Sequence, residues 1–439
     1  MNYPPITRGI PAFTSIWLGQ LISGIGSGLT NFSLGVWVFQ QTGSVTQFTL
    51  IALFSTLPGV VTLPLAGLVV DRWDRRRLML FSTTGAALTT LAAAVLLFNG
   101  QLEVWHIYVG VAVRTVFSSF LSPAFSASTT LLVPKEHFGR IGGLVQANQA
   151  STQIIAPLLG GLLIASIKLR GVLLVDFASY LAALASLLLV RIPAPTKAPG
   201  AVARGLLSHE AKYGLTFIME RRGLLALLIY FAAVNTIIAS TTILFTPMVL
   251  GFSSPKVLGT ILSVAGIGFL GGSVLMSVWG GPDDRLRGVL GFGALFGICS
   301  VIIGLTPSAA MVGIGTFGMY FVLPIINGCS QAIWQTKTPP DVQGRVFAVR
   351  RMIGASTVPF SYFIAGPLAD KVFTPMLDGP FKSLTRVIGD GPGRGIGLMF
   401  IVGGISIALA QIGGYLYSPL RRVEADLPDA LTDAALSRA

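Results

Sequence analysis

The chain has 439 residues, of which 53% are hydrophobic and only 11% charged, against about 25% charged in an ordinary soluble domain. Such a chain could not cover a water-facing surface with polar groups, whereas lipid requires an apolar surface, so a water-soluble enzyme or binding module is excluded. The net charge of +13 does not point to nucleic acid, because the basic residues form short clusters between apolar runs and not a stripe interleaved with aromatics.

The expectation is an all-α polytopic membrane protein. Arg8 precedes an apolar run from Ile10 onward without a small-residue cleavage site, which reads as a first span and not as a signal peptide. A bilayer core needs about 20 apolar residues per helix. Runs of that kind predict spans near 12–40, 46–70, 78–98, 106–132, 142–166 and 172–191. A second set follows near 224–250, 255–279, 288–306, 309–336, 345–370 and 396–419. The predicted organisation is a six-helix bundle over 1–191, a polar central loop over 192–223, a second bundle over 224–419 and a tail over 420–439. The loop carries Lys197, Arg204, Lys212, Arg221 and Arg222, and a smaller polar insertion lies at 371–395.

Basic residues set the predicted orientation. With both termini in the cytoplasm, the inner segments hold Arg8, the 72–77 cluster, Lys135, Arg140, the central loop, Arg285, Arg287, Lys337, Arg345, Arg421 and Arg422. The outer loops near 41–45, 99–105 and 306–309 hold none, while Lys168, Arg170, Lys256 and the 371–395 insertion are exceptions.

The halves resemble each other. A shift of 205 residues lays Pro134, Gly139, Arg140, Ala150, Ser151, Thr152 and Gly161 onto Pro339, Gly344, Arg345, Ala355, Ser356, Thr357 and Gly366. A duplicated six-helix unit marks a secondary transporter, with a substrate site expected between the halves near the midplane.

The loop after the second span reads Gly67-Leu-Val-Val-Asp71-Arg72-Trp73-Asp74-Arg75-Arg76-Arg77. It resembles the signature of the major facilitator superfamily, with a degenerate companion from Gly281 to Arg287. Asp74 stands where the family usually has a second Gly. The branch that tolerates this resembles drug and siderophore exporters, which include macrolide efflux and enterobactin export proteins. The stretch from Trp17, Gly19, Gln20 and Ser23 to Trp37 is similar to that branch. Physically, Asp71 at a helix end can accept bonds from a helix N-terminus, and Arg72, Arg75 and Arg76 can bond acids across an interface. Gly67 and these four residues therefore read as a conformational latch, and Arg77 as a topology and headgroup residue.

Charges within spans are costly and point to function. Arg114 lies inside the fourth span, followed by Ser118, Ser122 and Ser126 at helical spacing. It resembles the family's membrane-embedded Arg, which implies proton coupling; a purely structural Arg is the bland alternative. Asp176 is the acid within a span, at the start of the sixth, where an ion pair with Arg114 and a structural role are both open. Ala156-Pro157-Leu-Leu-Gly160-Gly161 is similar to the family's antiporter motif, with Ala in place of the first Gly. On residues alone it is a kinked, tightly packed helix.

One-sided polar rows predict a substrate cavity: Gln20, Ser27 and Asn31; Gln146, Gln149 and Gln153; Asn235 and Thr242; Asn327, Gln331 and Gln335. Phe32, Trp37, Phe231 and Trp334 add aromatic patches suited to an amphipathic substrate. Gly266-Ile-Gly268-Phe-Leu-Gly271 fits a dinucleotide pattern letter by letter, but inside an apolar helix it reads as packing glycine. Cys299 and Cys329 sit in apolar runs and His106, His137 and His209 are far apart, so no cofactor or metal is expected.

The expected function is export of an amphipathic small molecule from a bacterial cytoplasmic membrane by proton antiport, with a monomer acting alone among membrane lipids. A uniporter or an importer of a metabolite or lipid-like substrate is the alternative, and a membrane receptor or intramembrane enzyme a remote one.

Overall fold

The computed structural model describes residues 10–132, 138–190, 204–339, 342–379 and 381–429. They are helical nearly throughout, and the chain divides into two compact units: residues 1–198 with 253–263, and residues 199–252 with 264–439.

The first unit contains α1 (Ile10–Thr42), α2 (Val45–Arg72), α3 (Arg75–Phe98), α4 (Val104–Leu132) and the long α5 (Phe138–Leu189). Asp74 starts α3 as its N-cap, accepting from the Arg77 backbone N–H at 2.8 Å. That satisfies one of the donors a helix start leaves open and accounts for an acid where a Gly was expected.

α5 is continuous except at Lys168, whose φ of 56° breaks the helix. The neighbours of α1 show what that break does. Gly19 and Gly26 of α1 face Ser186 and Ser179, so this arm runs antiparallel to α1; Gly28 and Phe32 face Ala156 and Gly160, so the other arm runs parallel. The chain therefore reverses at Lys168, and α5 is two spans, 138–167 and 169–189. Eleven described helices are long and apolar enough to cross a membrane; dividing α5 makes the expected twelve. The core holds Phe13, Ile16, Met79 and Leu187 in one cluster and Leu34, Val38, Ile107 and Leu173 in another. Leu88, Val95 and Leu188 are exposed, as lipid-facing residues should be.

The second unit begins with α6 (Arg204–Glu220), followed by α7 (Arg222–Phe252), most of α8 (Pro255–Trp279), α9 (Arg285–Leu305), α10 (Ala309–Lys337) and α11 (Gln343–Leu368). The predicted central loop is thus helical over α6, which packs against α7 and α11. Ile218 is buried there, and the Arg221 guanidinium stacks 3.6 Å from the Phe217 ring centroid. The Gly266–Gly271 stretch lies within α8, where a Cβ on Gly268 would stand 2.6 Å from the Phe317 carbonyl oxygen of α10.

The 371–395 insertion continues α11 through a π-helical turn, Ala369–Phe373, into α12 (Thr374–Asp378) and the short α13 (Thr385–Ile388). Gly389, Gly391 and Gly393 then take φ of 85°, 113° and 82°, a conformation open to glycine at little cost. They turn the chain into α14 (Arg394–Leu416). α14 lies backbone to backbone on α9: a Cβ at Gly297 would stand 2.7 Å from the Gly404 carbonyl oxygen. Small residues allow such approach in membranes.

After α14, α15 (Ser418–Arg421) and α16 (Val423–Asp426) fold back onto the bundle. The Glu424 carboxylate accepts from the Leu286 N–H at 2.6 Å, at the start of α9. Lys337, at the end of α10, donates to the Leu427 carbonyl at 2.6 Å and to Asp429 at 2.7 Å. Burial pushes the Glu424 carboxyl above the ordinary carboxylate range; the Leu286 N–H opposes this and the Asp284 charge adds to it.

Two predictions follow from this packing. Gly297→Ala places a methyl against backbone that cannot yield, which should cost roughly 1–3 kcal/mol, read as a lower melting temperature in detergent. Because the folded protein holds a proton on Glu424 at pH values where the unfolded chain has lost it, this group's contribution to stability should fall as pH rises from the ordinary carboxylate range through the raised value. Melting curves of Glu424→Gln should lose that part of the pH dependence, and an unchanged profile would show that Glu424 does not carry it.

Candidate functional site

The first unit closes around one buried ion pair. Arg114 of α4 and Asp176 of the second α5 arm approach to 3.9 Å between Nη1 and Oδ2, with side chains 9% and 0% exposed. Asp176 sits about two turns beyond the Lys168 break. The Thr90 hydroxyl of α3 donates to Asp176 Oδ2 at 3.2 Å, and the Ser27 hydroxyl of α1 to Oδ1 at 3.5 Å. Ser27 also shares a hydrogen bond of 2.9 Å with the Tyr180 hydroxyl. Arg114 Nη2 donates to Asn31 Oδ1 of α1. Four segments thus contribute to one polar centre. Arg114 and Asp176 are inward, while Asn31, Ser118, Ser122 and Ser126 are exposed, so the centre has a buried and an open side.

Gly26 makes this centre possible. A Cβ there would stand 3.0 Å from Asp176 Oδ1 and 2.9 Å from Ser179 Cβ, so only hydrogen lets α1 close over the carboxylate. Charges this deep are tolerable only with good pairing and satisfied hydrogen bonds.

Other expected site residues are placed differently. Gln20 is 8% exposed and faces inward, unlike Asn31. Trp334, expected in an aromatic patch, is 1% exposed: it is enclosed in the bundle because α10 turns this face toward its neighbours. Phe32, Trp37, Phe231 and Asn235 are half-buried, and Thr242, Asn327 and Gln335 exposed. The side chains of Gly67, Asp71, Arg72, Gln146, Gln149 and Gln153 lie outside the described residues. Arg76 donates to the carbonyls of Leu187 and Leu188 at 2.9 and 2.8 Å. Its partner is thus the C-terminus of a helix in its own unit, where the dipole favours a cation, and not an acid.

The Ala156-Pro157-Leu-Leu-Gly160-Gly161 segment packs closely. Ala156 fills the space left by Gly28, whose Cβ would lie 2.6 Å from that of Ala156, so Ala substitutes for Gly where α1 supplies the glycine instead. A Cβ on Gly161 would meet the Pro255 carbonyl oxygen at 2.5 Å, and one on Gly259 the Pro157 carbonyl oxygen at 2.9 Å. Residues 253–263 of α8 belong to this first unit.

Sequence reasoning missed Thr90, Tyr180 and Arg350. The first two are ordinary polar residues in apolar helices and gain meaning only from Asp176. Arg350 carried a usable signal, an arginine about two turns past the start of α11, inside a span-length segment, where charge points to function as it does at Arg114. Its Nη1 donates to Gln331 Oε1 at 2.9 Å and its Nη2 to Ser330 Oγ at 3.0 Å, beside the Trp334 ring. In the companion loop, Asp284 caps α9 as Asp74 caps α3, accepting from the Arg287 N–H at 2.9 Å.

Span-length apolar helices and, in the first unit, a charge pair sealed among them define a multi-pass membrane protein. The sequence matches the Major Facilitator Superfamily over residues 16–372, and the chain belongs to that family. It is therefore a membrane transporter and not an enzyme. It is similar to macrolide efflux protein A of Streptococcus pyogenes, 25% identical over 366 residues, covering 82% of this chain and 90% of that one. Similarity to the multidrug efflux pump Tap of Mycolicibacterium fortuitum is 26% over 367 residues, covering 81% and 88%. Among solved structures, a bacterial homolog of the human lysosomal transporter Spinster, inward-facing and unoccupied, matches with a TM-score of 0.70 at 13% identity, over 95% of this chain and 98% of that one. That likeness speaks for the fold alone.

Removing one partner of the buried pair leaves the other charge without compensation. Arg114→Gln should destabilise the protein by about 3–5 kcal/mol, whereas Arg114→Met with Asp176→Leu should recover most of the loss. Thermal unfolding of the three purified proteins checks this, and a double variant no more stable than the single would refute the pairing.

Proposed function

We propose that this transporter exports an amphipathic small molecule from the bacterial cytoplasm in exchange for protons, and that Asp176 with Arg114 is the proton-handling centre. The observation that carries the reading is the fully buried Asp176 carboxylate, bonded from α1 and α3 and paired with Arg114. Export is supported by the similarity to macrolide efflux protein A and to the multidrug pump Tap.

A proton arriving at Asp176 cancels its charge. Arg114 is then a cation in a low-dielectric site without a counter-ion, an arrangement that costs several kcal/mol. Its guanidinium already reaches Asn31 on the open side of α1. Neutralising Asp176 therefore shifts the balance toward a state in which Arg114 turns to water and α1 loosens from the α5 arm. Loss of the proton restores the pair and reseals the helices. This is a bistable element biased by one charge. The latch read from Gly67, Asp71, Arg72 and Arg75, without Arg76, the two six-helix lobes joined by a central loop, and both termini in the cytoplasm belong to the same proposal. The polar rows supply hydrogen bonds to the substrate, and its apolar part meets Phe32, Trp37 and Phe231.

Proteoliposomes loaded with an amphipathic dye, and carrying a pH-sensitive reporter, test the proposal. Wild-type protein should couple substrate movement to an opposite proton movement. Asp176→Asn should abolish that coupling while substrate binding persists, and Thr90→Val, which keeps the charge pair, should weaken it less. Substrate flux without any pH change, or coupling intact in Asp176→Asn, would refute proton handling here.

A further inference from the structure

Both units hold an arginine within a helix, but the two are treated differently. Arg114 has a carboxylate at 3.9 Å. Arg350, in the span-length segment Gln343–Leu377, is held by neutral groups: Gln331 Oε1 at 2.9 Å, Ser330 Oγ at 3.0 Å, and the Trp334 ring, whose centroid lies 5.2 Å from the guanidinium carbon. Among the described residues no carboxylate forms an ion pair with it, and the next residue is a second cation, the exposed Arg351.

The hydrogen-bond inventory is equally one-sided. Gln331 presents its carbonyl oxygen to Arg350, which leaves its NH2 group as a pair of donors. Ser330 accepts from Arg350, so its own hydroxyl proton is free to donate. The Trp334 indole N–H is buried and has no partner among the described residues. Arg350 retains further N–H donors beyond the two it uses. Donors therefore outnumber acceptors around a whole positive charge. The site is also reachable. Gln331 stands midway between Asn327 and Gln335, both exposed, on one side of α10. A polar face of this kind would be expensive against hydrocarbon, so it borders water or substrate.

We infer that Arg350, Gln331 and Trp334 recognise an oxyanion, a carboxylate or phosphate carried by the exported amphipathic molecule. This rests on the exporter reading above and narrows the substrate class to amphipathic acids. The recognition is a charge-assisted hydrogen bond from the guanidinium, with Gln331 fixing the plane of the fork and Trp334 holding it from behind. An anionic lipid headgroup offers the same chemistry, so the test separates the two sources.

Binding of a fluorescent amphipathic carboxylic acid and of its methyl ester should be measured on the whole protein in nanodiscs. Wild type should prefer the acid about tenfold, the worth of one charge-assisted hydrogen bond. Arg350→Gln should erase that preference by weakening the acid, and Arg350→Lys should keep part of it. A wild-type protein indifferent to the acid, or an Arg350→Gln variant that weakens acid and ester alike, overturns the inference by reducing Arg350 to a structural clamp. Comparing phosphatidylglycerol with phosphatidylcholine nanodiscs identifies the source. Equal acid preference in both supports a substrate site, whereas Arg350-dependent retention of phosphatidylglycerol that blocks the acid assigns the site to lipid and overturns the substrate assignment. Extrusion of dye from energised vesicles reports on export separately. Dye extrusion without acid preference removes this inference alone, and acid preference without extrusion of any probe removes the exporter reading alone.

Discussion

A carboxylate and a guanidinium shut away from water need each other, and the first unit is arranged so that they meet. Asp176 is on the returning arm of α5 and Arg114 on α4, while the remaining bonds come from α1 and α3. For this to happen the chain must reverse at Lys168, in a backbone conformation that costs about 1–3 kcal/mol for a residue with a side chain, and α1 must approach closely enough that Gly26 faces the carboxylate. Pairing, reversal and close approach therefore depend on one another. A charge change at Asp176 acts on all of them at once, which is the property a coupling centre requires.

The second unit solves the same packing problem with little charge inside. α9 and α14 meet through Gly297, Gly304, Gly397 and Gly404. In lipid, apolar burial between helices gives no advantage over contact with acyl chains, so close van der Waals contact has to supply the adhesion. Polar partners concentrate at the ends instead. Lys337 and Glu424 tie the segment after α14 to the ends of α10 and α9, and Asp284 caps α9. Within the helical body, Tyr230 of α7 bonds Gln411 of α14, and Arg350 of α11 bonds Gln331 and Ser330 of α10. Arg114 of the first unit is paired with a carboxylate, whereas among the described residues Arg350 of the second is held by neutral groups.

On the proposed reading, that asymmetry divides the labour between the units. An antiporter must alternate between two occupants, a proton and a substrate. A carboxylate sealed with its own cation responds to protons. A cation set among hydrogen-bond donors responds to an acidic or acceptor-rich ligand.

Hydrophobic run length alone determined the number and order of the spans, because a bilayer requires about 20 apolar residues per helix wherever they occur in a chain. The family was equally readable from the Gly67–Arg77 loop, and Arg114 and Asp176 from the cost of charge in lipid. Sequence could not say that α6 would form within a polar stretch, that Asp74 and Asp284 were helix caps, that Gln20 and Trp334 would turn inward, or that Arg350 would lack a carboxylate. Each of those depends on which helix faces lie opposite one another, and a periodic pattern gives a face without naming its neighbour. Only the folded helices decided that Asp176 stands opposite Arg114, while among the described residues no carboxylate pairs with Arg350.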